Sequence, residues 1–252
     1  MSQPVPPPAP LPFELDSLAG AHRYQAWLAA RVLPFLGQRI LEVGAGIGSM
    51  SNHLPLRARL ILTEIEPALF ERLRECEAAR RGALVQRFDI GSGDGVQALV
   101  AESPDTIVSF NVLEHIEDDE AALASLISIL KHSAAPGPRR LVTLVPAHPF
   151  AYNGMDRRFG HYRRYDGARV RWLASRVAPG MRLETRFVNA VSLPGWWFQG
   201  NVLGRESIGA TSIAAFEALA PFLIPIDNFL HDRLQLPFGQ SMLFVITLPG
   251  AL

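Results

Sequence analysis

From Arg39 onward, apolar runs of strand length alternate with stretches whose apolar residues recur at helical spacing. The strand-like runs are Arg39–Val43, Arg59–Thr63, Leu84–Phe88, Thr106–Phe110, Arg140–Val145, Arg182–Val188 and Met242–Thr247. Between them, Leu69, Phe70, Leu73 and Cys76 share one helix face, while Glu71, Arg72, Arg74 and Glu75 point elsewhere. Leu123, Leu126, Ile127 and Leu130 form a second stripe behind Glu117–Glu120, an acidic opening that suits the positive end of a helix. One more helix, about Leu18 to Leu33, is expected ahead of the first strand. This alternation predicts an α/β chain: a doubly wound, mostly parallel sheet covered on both faces. No internal repeat is visible.

The rhythm breaks between Pro146 and Leu236. That region holds an arginine- and aromatic-rich loop (Pro149–Tyr165), the pair Trp196–Trp197, and apolar segments cut by Pro221, Pro225 and Pro237. An interruption of this length before a final strand predicts a substrate-covering lid, the alternative being a surface insertion. Prolines at positions 4, 6, 7, 8, 10 and 12 make residues 1–13 read as a polyproline-like or disordered tail, with residues 14–252 as one domain. No stretch approaches the ~18 uninterrupted apolar residues of a membrane span. The N-terminus lacks the basic start and apolar run of a signal peptide, so a cytoplasmic location is expected.

Composition narrows the picture. Of 252 residues, 24 are Lys or Arg and 24 are Asp or Glu, so the formal net charge is zero, which argues against nucleic acid as the main partner. With 48% hydrophobic and 19% charged residues the chain should bury a sizeable core. The one cysteine, Cys76, rules out an internal disulfide framework and a multi-thiolate zinc site.

The sharpest chemical signal is Ile40-Leu41-Glu42-Val43-Gly44-Ala45-Gly46-Ile47-Gly48, an apolar strand running into three alternating glycines. Glycines there permit a tight turn and let the backbone approach a ligand. Glu64 closes the second strand, 18 residues after Gly46, where a doubly wound sheet puts a carboxylate beside its crevice to accept from a ribose diol. A dinucleotide fingerprint requires its last glycine at position 49, but that position is Ser49 and the glycine falls one earlier.

Glu42-Val43-Gly44-Ala45-Gly46-Ile47-Gly48 resembles the first motif of class I S-adenosylmethionine-dependent methyltransferases. Phe88-Asp89-Ile90 matches the family's adenine-binding position, and Phe110-Asn111-Val112-Leu113-Glu114-His115-Ile116 its fourth-strand motif. The similarity is good over roughly Ile40 to Val145. His22-Arg23-Tyr24, Val145-Pro146-Ala147-His148-Pro149 and the run Asp156 to Tyr165 resemble bacterial methyltransferases found with glycosyltransferases. The resemblance implies a Rossmann-like fold of seven strands, the last antiparallel and inserted beside the fifth, with S-adenosyl-L-methionine as cofactor. It implies cofactor contacts from Tyr24, Glu42, Gly44, Ala45, Gly46, Gly48, Ser49, Glu64, Ile65, Asp89, Ile90, Asn111, Val112 and His115.

Methyl transfer to a hydroxyl or amine needs a positioned acceptor and a base. His161, Tyr162 and His115 are the candidates, with His161 in the loop expected to cover the acceptor. His148, Arg157, Arg163, Trp196 and Trp197 are candidate acceptor contacts. The segment Asp156 to Arg171 sets six arginines against two aspartates, which suits a carboxylate or phosphate, or else arginines that simply pair with the sheet's acids. Phe216, Phe222 and Phe229 could wall an apolar pocket, join the core or rest on a membrane surface. No His/Asp/Glu spacing reads as a metal site, so a metal-independent O-methylation of a small molecule is expected. N- or C-methylation, a nicotinamide oxidoreductase and a silent cofactor-binding partner are the other classes.

Overall fold

The architecture comes from a computed structural model, which describes residues 15 and 20–250. The expected Pro-rich tail over residues 1–13 lies outside the described residues. In chain order the elements are α1 (His22–Val32), β1 (Arg39–Val43), β2 (Arg59–Glu64), α2 (Pro67–Leu73), α3 (Glu77–Arg80), β3 (Leu84–Arg87), α4 (Val96–Ala101) and β4 (Thr106–Phe110). They continue with α5 (Asp119–His132), β5 (Arg139–Pro146), α6 (Gly154–Phe159), α7 (Gly167–Val177), β6 (Arg182–Val188), α8 (Leu193–Trp197), α9 (Ala210–Asp232) and β7 (Ser241–Leu248). All seven expected strands form. The first helix runs over His22–Val32 and passes into a 3₁₀ turn over Leu33–Phe35 that carries Pro34; residues 18 and 19 of the expected span lie outside the described residues.

The sheet order is β3-β2-β1-β4-β5-β7-β6. β1 to β5 pair in parallel, and β7 runs antiparallel between β5 and β6, with Met242 opposite both Val145 and Phe187. Successive strand residues feed opposite faces. Leu41, Val43, Ile61 and Ile107 pack with Leu123, Leu126, Ile127 and Leu130 of α5 on one side. Ile40, Leu60, Leu62 and Val108 pack with Trp27, Leu28 and Val32 of α1 on the other. Burial on both faces explains why these strands read as unbroken apolar runs. α5 begins where its acids predicted, with the Asp118 side chain accepting from the Ala121 N–H at 2.9 Å.

The long interruption contains two regular elements of the fold, α7 and β6. Val170 and Leu173 of α7 join the α5-side core. α9 lies beside α1, with Phe216 and Ile224 against the α1-side core, while α6 and α8 share a small core of their own through Met155, Leu193 and Trp196. α9 is continuous over 23 residues although Pro221 and Pro225 lie inside it. Pro221 has no N–H for the Glu217 carbonyl. The Arg23 guanidinium donates to that oxygen instead, at 2.6 Å. The Glu217 carboxylate in turn accepts the N–H groups of Arg23 and Tyr24, each at 3.0 Å. It thereby serves the first turn of α1, which has no side-chain cap of its own. Thr211–Asp232 is long and apolar enough to cross a membrane by length and composition, with 11% of its apolar window buried. The apolar run is still interrupted, by Glu217 and Asp227 as well as the prolines, but these residues do not end the helix.

One buried acid in β1 makes stability depend on pH. Burial, reinforced by the charge of Glu64 and opposed by Ser51, raises the Glu42 carboxyl from 4.5 to about 8. The unfolded chain releases this proton from about pH 4.5 upward, whereas the folded chain keeps it until about pH 8. Stability therefore falls as pH rises through that window and levels off above it. Relative to the parent, Glu42→Gln is expected to gain on the order of 2–4 kcal/mol near pH 8 and nothing near pH 4. Denaturant unfolding at the two pH values checks this, and equal shifts at both would remove the neutral-carboxyl assignment.

Candidate active site

The carboxyl ends of β1, β2, β3 and β4 open into a cleft of about 430 Å³. Open α/β sheets bind ligands at such ends. Its wall includes Tyr24, Gly44, Gly46, Ser49, Glu64, Ile65, Ile90, Asn111, Val112 and His115, all expected as cofactor contacts. Gly44 has φ +68°, and a Cβ there would stand 2.6 Å from Val112 Cγ2, so only glycine lets the fourth-strand motif close on this turn. The Glu64 side chain is tied to the turn: Oε2 accepts the Gly46 N–H at 2.8 Å, and Oε1 accepts the N–H groups of Ile65 (2.8 Å) and Glu66 (3.0 Å). A carboxylate has about four acceptor positions. One therefore remains on Oε2 for a donor in the cleft. A nucleoside fits these residues, with apolar Leu69, Phe88 and Ile90 for a base and Glu64 for a sugar hydroxyl.

Four of the expected cofactor contacts are not among the cleft's wall. Glu42 is buried beneath it, and Ala45 packs into the α1-side core. Gly48 faces Cys76, whose Cβ would lie 2.6 Å from an added methyl. Asp89 is used by its own turn, accepting the Gly91 N–H at 2.8 Å and the Ser92 N–H at 3.3 Å. Burial pushes its carboxyl up, but those backbone donors outweigh it and leave the pKa below the ordinary value. Its neighbours Phe88 and Ile90 face the cleft instead.

A second cavity of about 260 Å³ adjoins the first, sharing Tyr24, Asn111 and Phe159 with it. Asn111 sits at φ +51°, a conformation asparagine tolerates better than most residues, so its side chain faces both spaces. His161 and Arg164 are the ionisable residues of the second wall, beside the uncharged polar Asn189, Gln199 and Gln240, with Trp196, Ile208, Ile213 and Phe216 among the apolar part. His161 Nδ1 lies 3.0 Å from Asp156 Oδ1. Arg164 Nε donates to the same oxygen at 2.8 Å, and the guanidinium lies over the Trp196 ring, 4.7 Å from its centre. Asp156, wholly buried, also accepts the Asn153 N–H at 2.9 Å and completes a capping box at the start of α6. In the tautomer whose Nδ1–H donates to Asp156, the ring lone pair is on Nε2. Nε2 is 4.0 Å from the buried Glu114 carboxylate, and the His115 ring meets that of His161 edge-on at 4.7 Å.

The other acceptor-side expectations are not brought to either cavity. Tyr162 is exposed and stacks near Arg163. His148 stacks on Phe187 with ring centres 5.0 Å apart; burial, aided by the Arg164 charge, lowers its pKa. Arg163 donates to the carbonyls of Ile116 (2.7 Å) and Glu117 (2.6 Å), so it braces the fourth-strand loop. Arg157 and Trp197 point to solvent, whereas Trp196 reaches the cavity as expected. Sequence reasoning missed Glu114, Asp156, Arg158, Phe159 and Arg164 as site residues. Asn153-x-x-Asp156 carried a signal, because an Asn three residues before an acid is a helix-start pattern that fixes where the acid points. The donor atoms of Glu114, His115 and His161 lie within 4.8 Å of one another, a grouping that sequence spacing did not reveal.

A family model described as a methyltransferase domain matches residues 41–135. An uncharacterized methyltransferase of Bacillus mycoides (strain KBAB4) is 36% identical over 85 residues, 34% of this chain and 37% of that protein. The chain thus spans a little over a third of the length of the curated relatives it matches. Among solved structures, a SAM dependent methyltransferase from Archaeoglobus fulgidus has TM-score 0.57 at 16% identity, covering 94% of this chain and 98% of its own. The N-methyltransferase NodS of Bradyrhizobium japonicum WM9, solved with S-adenosyl-L-homocysteine, has TM-score 0.52 at 16% identity, covering 96% and 92%. Residues 41–135 are thus similar to a methyltransferase domain, and the chain shares the fold of these two solved methyltransferases.

Glu64→Ala is expected to weaken S-adenosylmethionine binding about tenfold or more, since a hydrogen bond to a charged group contributes ~1.5–3 kcal/mol. It also strands three backbone N–H groups, so the melting temperature should fall as well. Titration calorimetry giving parental affinity would remove Glu64 from the cofactor site.

Proposed function

We propose that this chain transfers the methyl group of S-adenosylmethionine to a hydroxyl or carboxylate oxygen of a small molecule, without a metal ion. The supporting observation is the pair of adjoining cavities, which meet at Tyr24, Asn111 and Phe159 with His161 on the acceptor side. A neutral chain with a single thiol suits a small acceptor in the cytoplasm better than nucleic acid. Gly44, Gly46, Glu64, Phe88 and Ile90 are the residues that would hold the cofactor. When bound, it supplies an electrophilic methyl group on a positive sulfonium.

The chain's own residues do the rest. Asp156 holds the His161 ring at Nδ1, and the imidazole takes the acceptor's proton as its oxygen becomes a nucleophile. Arg164 fixes Asp156 and places positive charge beside an acidic acceptor. Phe159, Trp196 and Phe216 exclude water and restrict the acceptor to one approach, so that positioning supplies much of the acceleration. A second reading rests on one observation, the grouping of Glu114, His115 and His161: these donors suit a divalent cation that would lower the acceptor's pKa directly.

Label from methyl-labelled S-adenosylmethionine, incubated with a metabolite extract, should enter a small molecule. His161→Ala is expected to lower that turnover ~10²–10⁴-fold with cofactor affinity unchanged. Near-parental turnover would leave His161 structural. Full activity after a chelator supports the metal-free reading, and loss restored by a divalent cation supports the second.

A further inference from the structure

The walls of the acceptor cavity are apolar on their outer sides too. α8 and the turn after it direct Gly195, Trp196 and Gln199 inward and leave Trp197, Phe198 and Leu203 exposed. α9 directs Ser212, Ile213 and Phe216 inward and leaves Leu219, Phe222, Ile226 and Phe229 exposed, at the spacing of one helix stripe. Ser212 and Gln199 hydrogen-bond at 3.4 Å, so the two outer faces adjoin where the walls meet. Ten of the sixteen large hydrophobic residues exposed among the described residues fall between Trp197 and Phe238. Contiguous apolar surface of this kind marks a contact surface, whereas singly scattered residues do not.

The chemistry of the face selects its occupant. The acids of α9 are turned to the protein: Glu217 serves α1, Asp227 accepts the N–H groups of Asn189 (3.0 Å) and Val191 (3.1 Å), and Asp232 pairs with Arg31 at 2.7 Å. No exposed side chain from Ala214 to Phe229 carries a hydrogen-bonding group. An interface with a protein ordinarily needs about one hydrogen bond per 100–200 Å². Hydrocarbon needs none. Arg205, next to Glu206, precedes the stripe, and Arg233, next to the Asp232 that Arg31 neutralises, ends it, so exposed cations stand at the two ends of the stripe and none along it. Ties to α1 and to the loop after β6 along the opposite side keep the helix lying along the surface instead of crossing it.

We propose that this face rests on an anionic lipid bilayer and that the acceptor is an amphiphile drawn from it. Its polar end reaches His161 and Arg164, and its chain leaves between α8 and α9 into the bilayer. This substrate class rests on the transferase reading above; the docking does not.

The test mixes the full chain with phosphatidylcholine–phosphatidylglycerol vesicles and measures cosedimentation. The parent should pellet with the vesicles. Phe222→Glu/Phe229→Glu should lower partitioning about tenfold or more, with melting temperature and S-adenosylmethionine affinity unchanged. Phe222→Ala/Phe229→Ala, should the charged pair not fold, is expected to lose several-fold. A parent that stays in the supernatant, or variants that pellet like it, would overturn the docking. So would velocity sedimentation of a parental dimer that the same variants split, which assigns the face to a second copy. For the substrate class, label from S-adenosylmethionine should enter the lipid fraction of a cell extract. Label confined to the aqueous fraction overturns the amphiphile. Label in neither fraction, from protein that binds the cofactor, overturns the transferase reading and its substrate class, while the vesicle result stands separately.

Discussion

The Asp156 carboxylate holds the acceptor side of the molecule together. It is wholly buried, yet it accepts from the Asn153 backbone, from His161 and from Arg164, while its own carbonyl receives the His161 N–H at 2.9 Å. A buried charge is tolerable only when its partners and hydrogen bonds are complete, because the desolvation cost of each ion is several kcal/mol. Here completeness has a geometric consequence. The same oxygen that orients the imidazole also fixes Arg164, which in turn sets Trp196 through its ring. Polar and apolar walls of one cavity are thus positioned by one side chain, and removing it would strand a guanidinium inside the protein.

The arginines of the loop illustrate how composition misleads about function. Six arginines over sixteen residues read as an anion site when their partners are unknown. In the folded chain Arg163 and Arg169 both pair with Asp119 at the start of α5, and Arg164 pairs with Asp156. Asp119 itself is buried and also receives the Tyr165 hydroxyl at 3.1 Å. Three of the six arginines are therefore spent on joining the loop to the acidic ends of two helices. Arg164 alone of these three faces the acceptor cavity.

What was legible in sequence was what a single crossover determines. Gly44, Gly46 and Glu64 belong to one strand-turn-helix-strand unit, so their relative positions follow from backbone geometry that local sequence encodes. The strands were legible because burial on two faces enforces long apolar runs. The acceptor side was not. Glu114 and His161 stand 47 residues apart, and nothing local brings the fourth-strand loop against the residues following α6. Asp89 falls just after its strand as expected, while the Asx turn that occupies one of its oxygens was not legible. Pro221 of α9 was misleading for the opposite reason: the local rule was right about the missing donor, and a distant guanidinium supplied one.

That substitution by Arg23 ties the halves of the site to each other. Tyr24, the next residue, lies in the wall of both cavities and meets the Phe216 ring of α9 edge-on at 5.6 Å. The backbone N–H groups of Arg23 and Tyr24 are held by Glu217, one residue beyond Phe216. The position of α9 therefore sets the position of Tyr24, and Tyr24 is where cofactor cleft and acceptor cavity touch. Any force on the outer face of α9 acts on a helix whose inner face closes the acceptor cavity and whose Glu217 orders the start of α1. The outer face that bears Phe222 and Phe229 and the inner face that lines the second cavity thus belong to one helix held to α1 by the same few hydrogen bonds.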